Sequence, residues 1–195
     1  MSTLLTSAAF AATLAIVVLR PQAASAHCDT LDGPTARDGL KALATGNLNH
    51  ALKWVTTHDE AELSSVFERS LAARALGGVA REVADRWFLE NLVRLHRSGE
   101  GAGFTGLGPS GSPIDEKVAA ADRSIAERSL EPLAGLVPSD RVPELNRRLA
   151  IVLARQDFDV DDIPAGRAYV AAYVNFFKFA EGEDHEHAHT PAGHP

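Results

Sequence analysis

The feature that most constrains the fold is a helical repeat of apolar residues along most of the chain. Between Thr57 and Gly77, and again from Val79 to about Arg97, apolar side chains recur three or four residues apart. The same period returns from Ala165 to Ala180. Strand-like alternation of apolar and polar residues is absent from the sequence. The sequence therefore predicts an all-α protein.

The repeat also predicts details of single helices. Residues Thr57 to Glu60 have the form of a capping box, which predicts a helix start there. The helix that begins at Val79 should bury four apolar side chains, Val83, Phe88, Leu92 and Leu95. Its opposite ridge alternates in charge, as a solvated face does, through Glu82, Arg86, Glu90 and Arg94. In the last helix we expect a core stripe of aromatic rings, Tyr169, Tyr173, Phe176 and Phe177.

A glycine-rich linker divides the chain. Residues 98–113 hold six glycines and two prolines, so they cannot continue a helix. The flanking halves, about 34–98 and 114–182, align at a fixed offset that places Trp87 over Tyr169. The pattern predicts a helical bundle of two similar halves and suggests an internal duplication. Two sets of amphipathic helices can also match by chance.

Residues 1–26 are expected to be a signal peptide. The apolar run 8–19 is shorter than the roughly 20 residues of a membrane span, and Ala24-Ser25-Ala26 fits the small-x-small cleavage pattern. No Lys or Arg precedes the run, so an uncleaved anchor or a misassigned start is the alternative. Cleavage after Ala26 would place the mature protein in the periplasm or outside the cell, with no membrane-spanning segment left.

The charge balance limits the partners. The formal net charge is −7, and loss of the single cation Arg20 on cleavage makes it one unit more negative. An acidic chain of this kind is not a general nucleic-acid binder. The sequence is compatible with a homo-oligomer.

The predicted new N-terminus carries a metal-binding pattern. Cleavage would make His27 the first residue, so that its α-amine and imidazole could chelate one metal ion. The thiolate of Cys28, the only cysteine, would add a soft donor. Asp32 could bring a carboxylate back if Gly33, through an unusual φ, and Pro34, as a helix opener, turn the chain. Soft thiolate with nitrogen donors favours Ni, Cu or Zn.

Four further histidines are candidate ligands. His96 continues an inward-facing helical stripe, where a core histidine is the alternative to a ligand. Residues 183–195 form a polar tail that we expect to be disordered. The tail carries three histidines that alternate with other residues, His185, His187 and His189. Such tracts bind Zn, Cu or Ni with modest selectivity.

The N-terminal residues resemble the nickel hook of nickel superoxide dismutases, which reads His-Cys-x-x-Pro-Cys-Gly. The resemblance implies nickel bound at His27 and Cys28 on a helical bundle, with dismutase activity. Leu31 stands where the hook has proline, Asp32 where it has the second thiolate, and Thr35 where the family has tyrosine. A carboxylate is a harder and weaker donor than a thiolate, which weakens the case for redox-active nickel.

The chain also resembles an uncharacterised bacterial family of exported helical proteins, through HCDTxDGP at residues 27–34 and GEGAxxTGL at residues 99–107. That resemblance implies fold class and export. The sequence lacks a P-loop, a GxSxG elbow, a CxxC pair and an HExxH helix. The leading hypothesis is an exported protein that binds Ni, Cu or Zn through His27 and Cys28. The alternatives are a superoxide dismutase-like metalloenzyme and a helical interaction module without metal chemistry.

Overall fold

A computed structural model of the protein describes residues 27–182. Within this range the fold consists of seven α-helices and no β-strand. They are α1 (Pro34–Thr45), α2 (Asn49–Leu52), α3 (Glu60–Arg74), α4 (Gly78–Gly99), α5 (Glu116–Glu127), α6 (Val142–Arg155) and α7 (Ile163–Glu181). The predicted all-α class is confirmed. The predicted signal peptide and the tail with His185, His187 and His189 lie outside the described residues.

Local sequence explains where several helices begin and end. Pro34 opens α1, where its fixed φ suits the first turn. The carboxylates of Asp115 and Asp162 accept backbone N–H groups in the first turns of α5 and α7, at 2.8 and 2.9 Å. Helix α7 is capped by Gly182, whose φ of 116° lies in the left-handed region that favours glycine.

The predicted capping box at Thr57 is wrong. A 3-10 turn covers Thr57–Asp59, and α3 begins at Glu60. Both box residues bond Arg167 of α7, whose guanidinium donates to Thr57 Oγ1 at 3.2 Å and to Glu60 Oε1 at 2.6 Å. A contact between the two halves thus replaces the local cap.

The two halves repeat one order of helices. In the first half α4 packs against α1 and α3, and in the second half α7 packs against α5 and α6. Each half therefore places its two earlier long helices on its last one, as the alignment of the halves requires. That the halves arose by duplication stays a prediction.

The core follows the predicted stripes except at Val83 and Tyr169. Phe88, Leu92 and Leu95 of α4 are buried as expected, but Val83 is 63 % exposed. Each helical residue advances about 100°, so Val83 lies about 140° around α4 from Phe88. Ala84 occupies the core position instead. On α7 the predicted aromatic stripe is buried, except for the partly exposed Tyr169.

Contacts across the halves fix their arrangement. The Arg167 Nε of α7 donates to the Val55 carbonyl at 2.9 Å, and the rings of Trp54 and Tyr173 meet edge-on with centroids 6.3 Å apart. The glycine-rich segment, which starts after α4, also has fixed partners: Gly108 N–H donates to the Asp29 carbonyl at 2.7 Å, and Leu31 N–H to the Gly108 carbonyl at 3.0 Å. None of the described helices is long and apolar enough to cross a membrane.

Candidate N-terminal site

Residues 27–33, here called the N-terminal segment, fold back on themselves before α1. Gly33 N–H donates to the Thr30 carbonyl at 3.0 Å. A Cβ on Gly33 would lie 2.3 Å from the carbonyl oxygen of His27, closer than any real contact. The φ of Gly33 is −70°, so the expectation of an unusual φ is wrong. The position requires glycine because the main chain returns too close for a side chain.

The turn places His27 against two helices of the second half. Its Nε2 lies 2.8 Å from the Tyr173 hydroxyl of α7 and 2.8 Å from Oδ2 of Asp122 on α5. The Tyr173 hydroxyl in turn donates to Oδ1 of Asp122 at 2.8 Å. We call these three side chains the anchor triad. They hold the buried imidazole of His27 in a fixed position between α5 and α7.

The protons in the anchor triad can be assigned from the donors available. Burial, together with the Asp122 charge, raises the pKa of Tyr173 well above its ordinary value. The phenol of Tyr173 therefore stays protonated and donates a hydrogen bond to Asp122. The second carboxylate oxygen is then the acceptor for an Nε2–H of His27. Both of these polar contacts of the imidazole use Nε2. Nδ1, the nitrogen nearer the main chain, takes no part in them.

A cleft of about 540 Å³ opens beside the anchor triad. His27 and Asp32 both line it, so the structure brings two of the predicted ligands to one cavity. Oδ2 of Asp32 accepts the Gly111 N–H at 2.8 Å. This hydrogen bond, with one from the side chain of Thr30, holds the pKa of Asp32 below its usual range. A fixed, ionised carboxylate therefore shares the cleft with the imidazole.

Cys28 lies elsewhere, in the hydrophobic core. Burial raises the pKa of its thiol above the ordinary range, and the charges of Glu100 and Asp29 raise it further. The Thr35 side chain and the charge of Arg97 oppose the shift. In this conformation the thiol is protonated at neutral pH and does not line the cleft.

Next to Cys28 is a buried ion cluster of Asp29, Arg97, Glu100 and Lys178. Arg97 Nη1 pairs with Glu100 Oε2 at 2.9 Å, and Arg97 Nε lies 3.6 Å from Asp29 Oδ2. Lys178 Nζ of α7 lies 3.7 Å from Glu100 Oε1. Burial and the Glu100 charge raise the pKa of Asp29 to about 6 against the lowering effect of Arg97. The cluster attaches the N-terminal segment to the end of α4 and to α7.

His96 is a core histidine in the described conformation. It is buried, its Nδ1 lies 2.9 Å from the Trp54 carbonyl, and its ring meets that of Trp54 edge-on at 5.3 Å. Its Nε2 lies 3.9 Å from Glu100 Oε1. His96 and Cys28 therefore face the core, whereas His27 and Asp32 face the cleft. Across residues 27–182, no group of three or more His, Cys, Asp or Glu side chains is placed to hold a metal ion.

Sequence analysis missed two members of the anchor triad, Asp122 and Tyr173. The chain has two tyrosines, and both lie on the aromatic stripe of α7 among phenylalanines. Since a buried phenol needs a hydrogen-bond partner, this was a usable sign that a polar group comes close. Asp122 gave no sign, because nothing in the spacing of α5 separates it from other surface carboxylates.

Comparison with known proteins identifies the family. No curated protein and no solved structure matches the chain. A family model matches residues 32–179, from the end of the N-terminal segment through most of α7. This bears out the expectation of an uncharacterised family, and the chain belongs to the family of unknown function DUF6448.

Proposed function

We propose that the protein is an exported transition-metal-binding protein whose processed N-terminus, beginning at His27, holds Ni(II), Cu(II) or Zn(II). The observation that carries the proposal is the hydrogen bond between His27 Nε2 and Asp122 at 2.8 Å. It leaves Nδ1 as the nitrogen for a ligand. Metal-ligating histidines commonly donate their other ring N–H to a carboxylate, which fixes the ring and makes it a better donor.

The α-amine of a processed His27 suits this arrangement. Together with Nδ1 of the same residue it can close a six-membered chelate ring, whereas Nε2 is too far from the main chain to do so. The anchor triad engages Nε2 and therefore does not compete with the chelate. The amine exists only after cleavage, so metal binding of this kind depends on export and processing.

Asp32 supplies a further donor in the proposed site. Its carboxylate lines the same cleft as His27 and is ionised. Nitrogen donors with a carboxylate suit Zn(II), Cu(II) and Ni(II). Ligation by the Cys28 thiolate stays a prediction, and it would require the thiol to lose its proton and leave the core. Water or a small ligand in the cleft would complete the coordination.

Calorimetric titration of the processed protein with each of the three metals tests the proposal. So that the tail does not bind metal in the titration, every protein tested also carries Gln in place of His185, His187 and His189. We expect one site per chain, and His27→Gln should weaken it by about 100-fold because the chelate is lost. His58→Gln is the matched control, since the side chain of His58 is 94 % exposed and its Nδ1 lies 3.2 Å from Oδ1 of the neighbouring Asp59, away from the cleft.

A second experiment tests whether the α-amine of His27 is a metal ligand. Acetylation of the His27 α-amine keeps every side chain but removes one donor, so affinity should fall to a level close to that of His27→Gln. Metal binding that survives both changes would overturn the proposal.

A further inference from the structure

Helix α4 carries a row of exposed apolar side chains. Val79 is 73 % exposed, Val83 63 % and Trp87 39 %, and Leu76 in the preceding turn is 79 % exposed. The three helical positions are four residues apart and form one ridge, turned away from the buried stripe that contains Phe88. Continuous apolar surface of this kind on a soluble helix marks an interaction site. We call it the α4 ridge.

A charged row runs beside the α4 ridge and includes Glu82 and Arg86, which are four residues apart on the exposed face. Arg86 pairs with Glu90 at 2.7 Å and also donates to the Leu107 carbonyl at 2.7 Å. These contacts fix the Arg86 guanidinium next to the apolar row. The face therefore combines an apolar ridge with flanking charges of both signs.

We propose that the α4 ridge binds the same ridge of a second copy of this chain, with the two helices antiparallel. A two-fold axis between residues 84 and 85 sets Val83 close to Trp87 of the partner subunit and Glu82 close to Arg86 of the partner subunit. Each pairing occurs twice by symmetry. In a parallel pair, the two copies of this charged row would lie on opposite sides of the interface and would not meet. The charge pattern is thus complementary to itself in the antiparallel arrangement only.

The interface is small, so the dimer should be weak. The α4 ridge covers about three helical turns, less than the roughly 800 Å² per partner of a standard stable interface. We expect a dissociation constant of the dimer in the micromolar range. The proposal is independent of metal binding, because the ridge and the cleft with His27 involve different residues.

Sedimentation equilibrium over a concentration series, up to about 200 µM, tests the proposal. We expect a monomer–dimer equilibrium that Val83→Glu shifts to monomer. Val142→Glu is the matched control, since Val142 is an exposed apolar residue on α6, and it should leave the equilibrium unchanged. Circular dichroism of each variant verifies that it is folded.

A charge exchange tests the orientation. Glu82→Arg and Arg86→Glu should each weaken the dimer by about tenfold, because each sets like charges together twice. The double variant should recover the wild-type equilibrium, since the pairs are restored with exchanged signs. A chain that stays monomeric at all concentrations, or a double variant as weak as the single ones, would overturn the proposal.

Discussion

Nε2 of His27 lies 2.8 Å from Oδ2 of Asp122, although one residue belongs to the N-terminal segment and the other to α5 in the second half of the chain. The contact orients the first residue of the predicted mature protein. A histidine at a chain end would otherwise sample many rotamers, and fixing the ring beforehand lowers the entropic cost of binding a ligand.

The first prediction concerns Asp122. Asp122→Asn removes the charged acceptor of the imidazole N–H but nearly keeps the side-chain volume, so metal affinity should fall by about 10- to 100-fold. Calorimetric titration measures the loss. Asp157→Asn, which removes a carboxylate far along the chain, should change nothing. Equal affinity in the Asp122→Asn variant and the wild type would show that the anchor triad does not support the metal.

The second prediction concerns Cys28. Because the thiol is buried and its pKa is raised, it should resist iodoacetamide at about pH 8 in the folded protein and react once the chain is unfolded. Mass spectrometry counts the alkylated molecules. Rapid labelling of the folded protein would show that the thiol reaches the surface.

Substitution of the same residue separates the metal hypotheses. Cys28→Ser should leave metal binding in place if His27 and Asp32 are the protein ligands. Loss of both the metal and any superoxide dismutase activity in this variant would instead favour the hook arrangement, in which the thiolate is a ligand.

The third prediction concerns Gly33. Gly33→Ala forces the new Cβ against the His27 carbonyl, so the N-terminal segment has to move. We expect a loss of about 1–3 kcal/mol in the free energy of unfolding and weaker metal binding. Urea denaturation measures the first effect. Gly103→Ala introduces the same methyl group where no atom lies within 4 Å, and it should be neutral.

The fourth prediction concerns the pH dependence of stability. Burial raises the pKa of Asp29 to about 6, above the value of 3.8 that it has in the unfolded chain. Between these values the folded state binds more protons than the unfolded state, so this group's contribution to stability is full below about pH 4 and is lost as the pH rises to about 6.

Asp29→Asn should flatten this part of the profile. The difference should be about 1–2 kcal/mol once screening by solvent is allowed for. Urea denaturation in the presence of a chelator measures the free energy of unfolding at each pH. An unchanged slope in the variant would show that another group is responsible.

Periodicity was enough to predict the helical class, because each long helix buries one stripe of its own residues. It failed at two places. The side chains of Thr57 and Glu60 bond Arg167 of α7 and form no capping box, and Val83 lies about 140° around α4 from the buried Phe88. Half of the site could be predicted. His27 and Asp32 stand in a recognisable local pattern at the predicted new N-terminus. Asp122 reaches His27 only through tertiary packing, which no spacing along the chain encodes.

The most direct test of the central claim is native mass spectrometry of the protein recovered from the export compartment of its host. One spectrum reports the first residue of the chain and the mass of any bound ion. The account predicts a chain that begins at His27 and carries one Ni, Cu or Zn ion, which is lost in the His27→Gln variant. A chain that begins elsewhere, or one that begins at His27 and stays metal-free after gentle isolation and incubation with each metal, would contradict it.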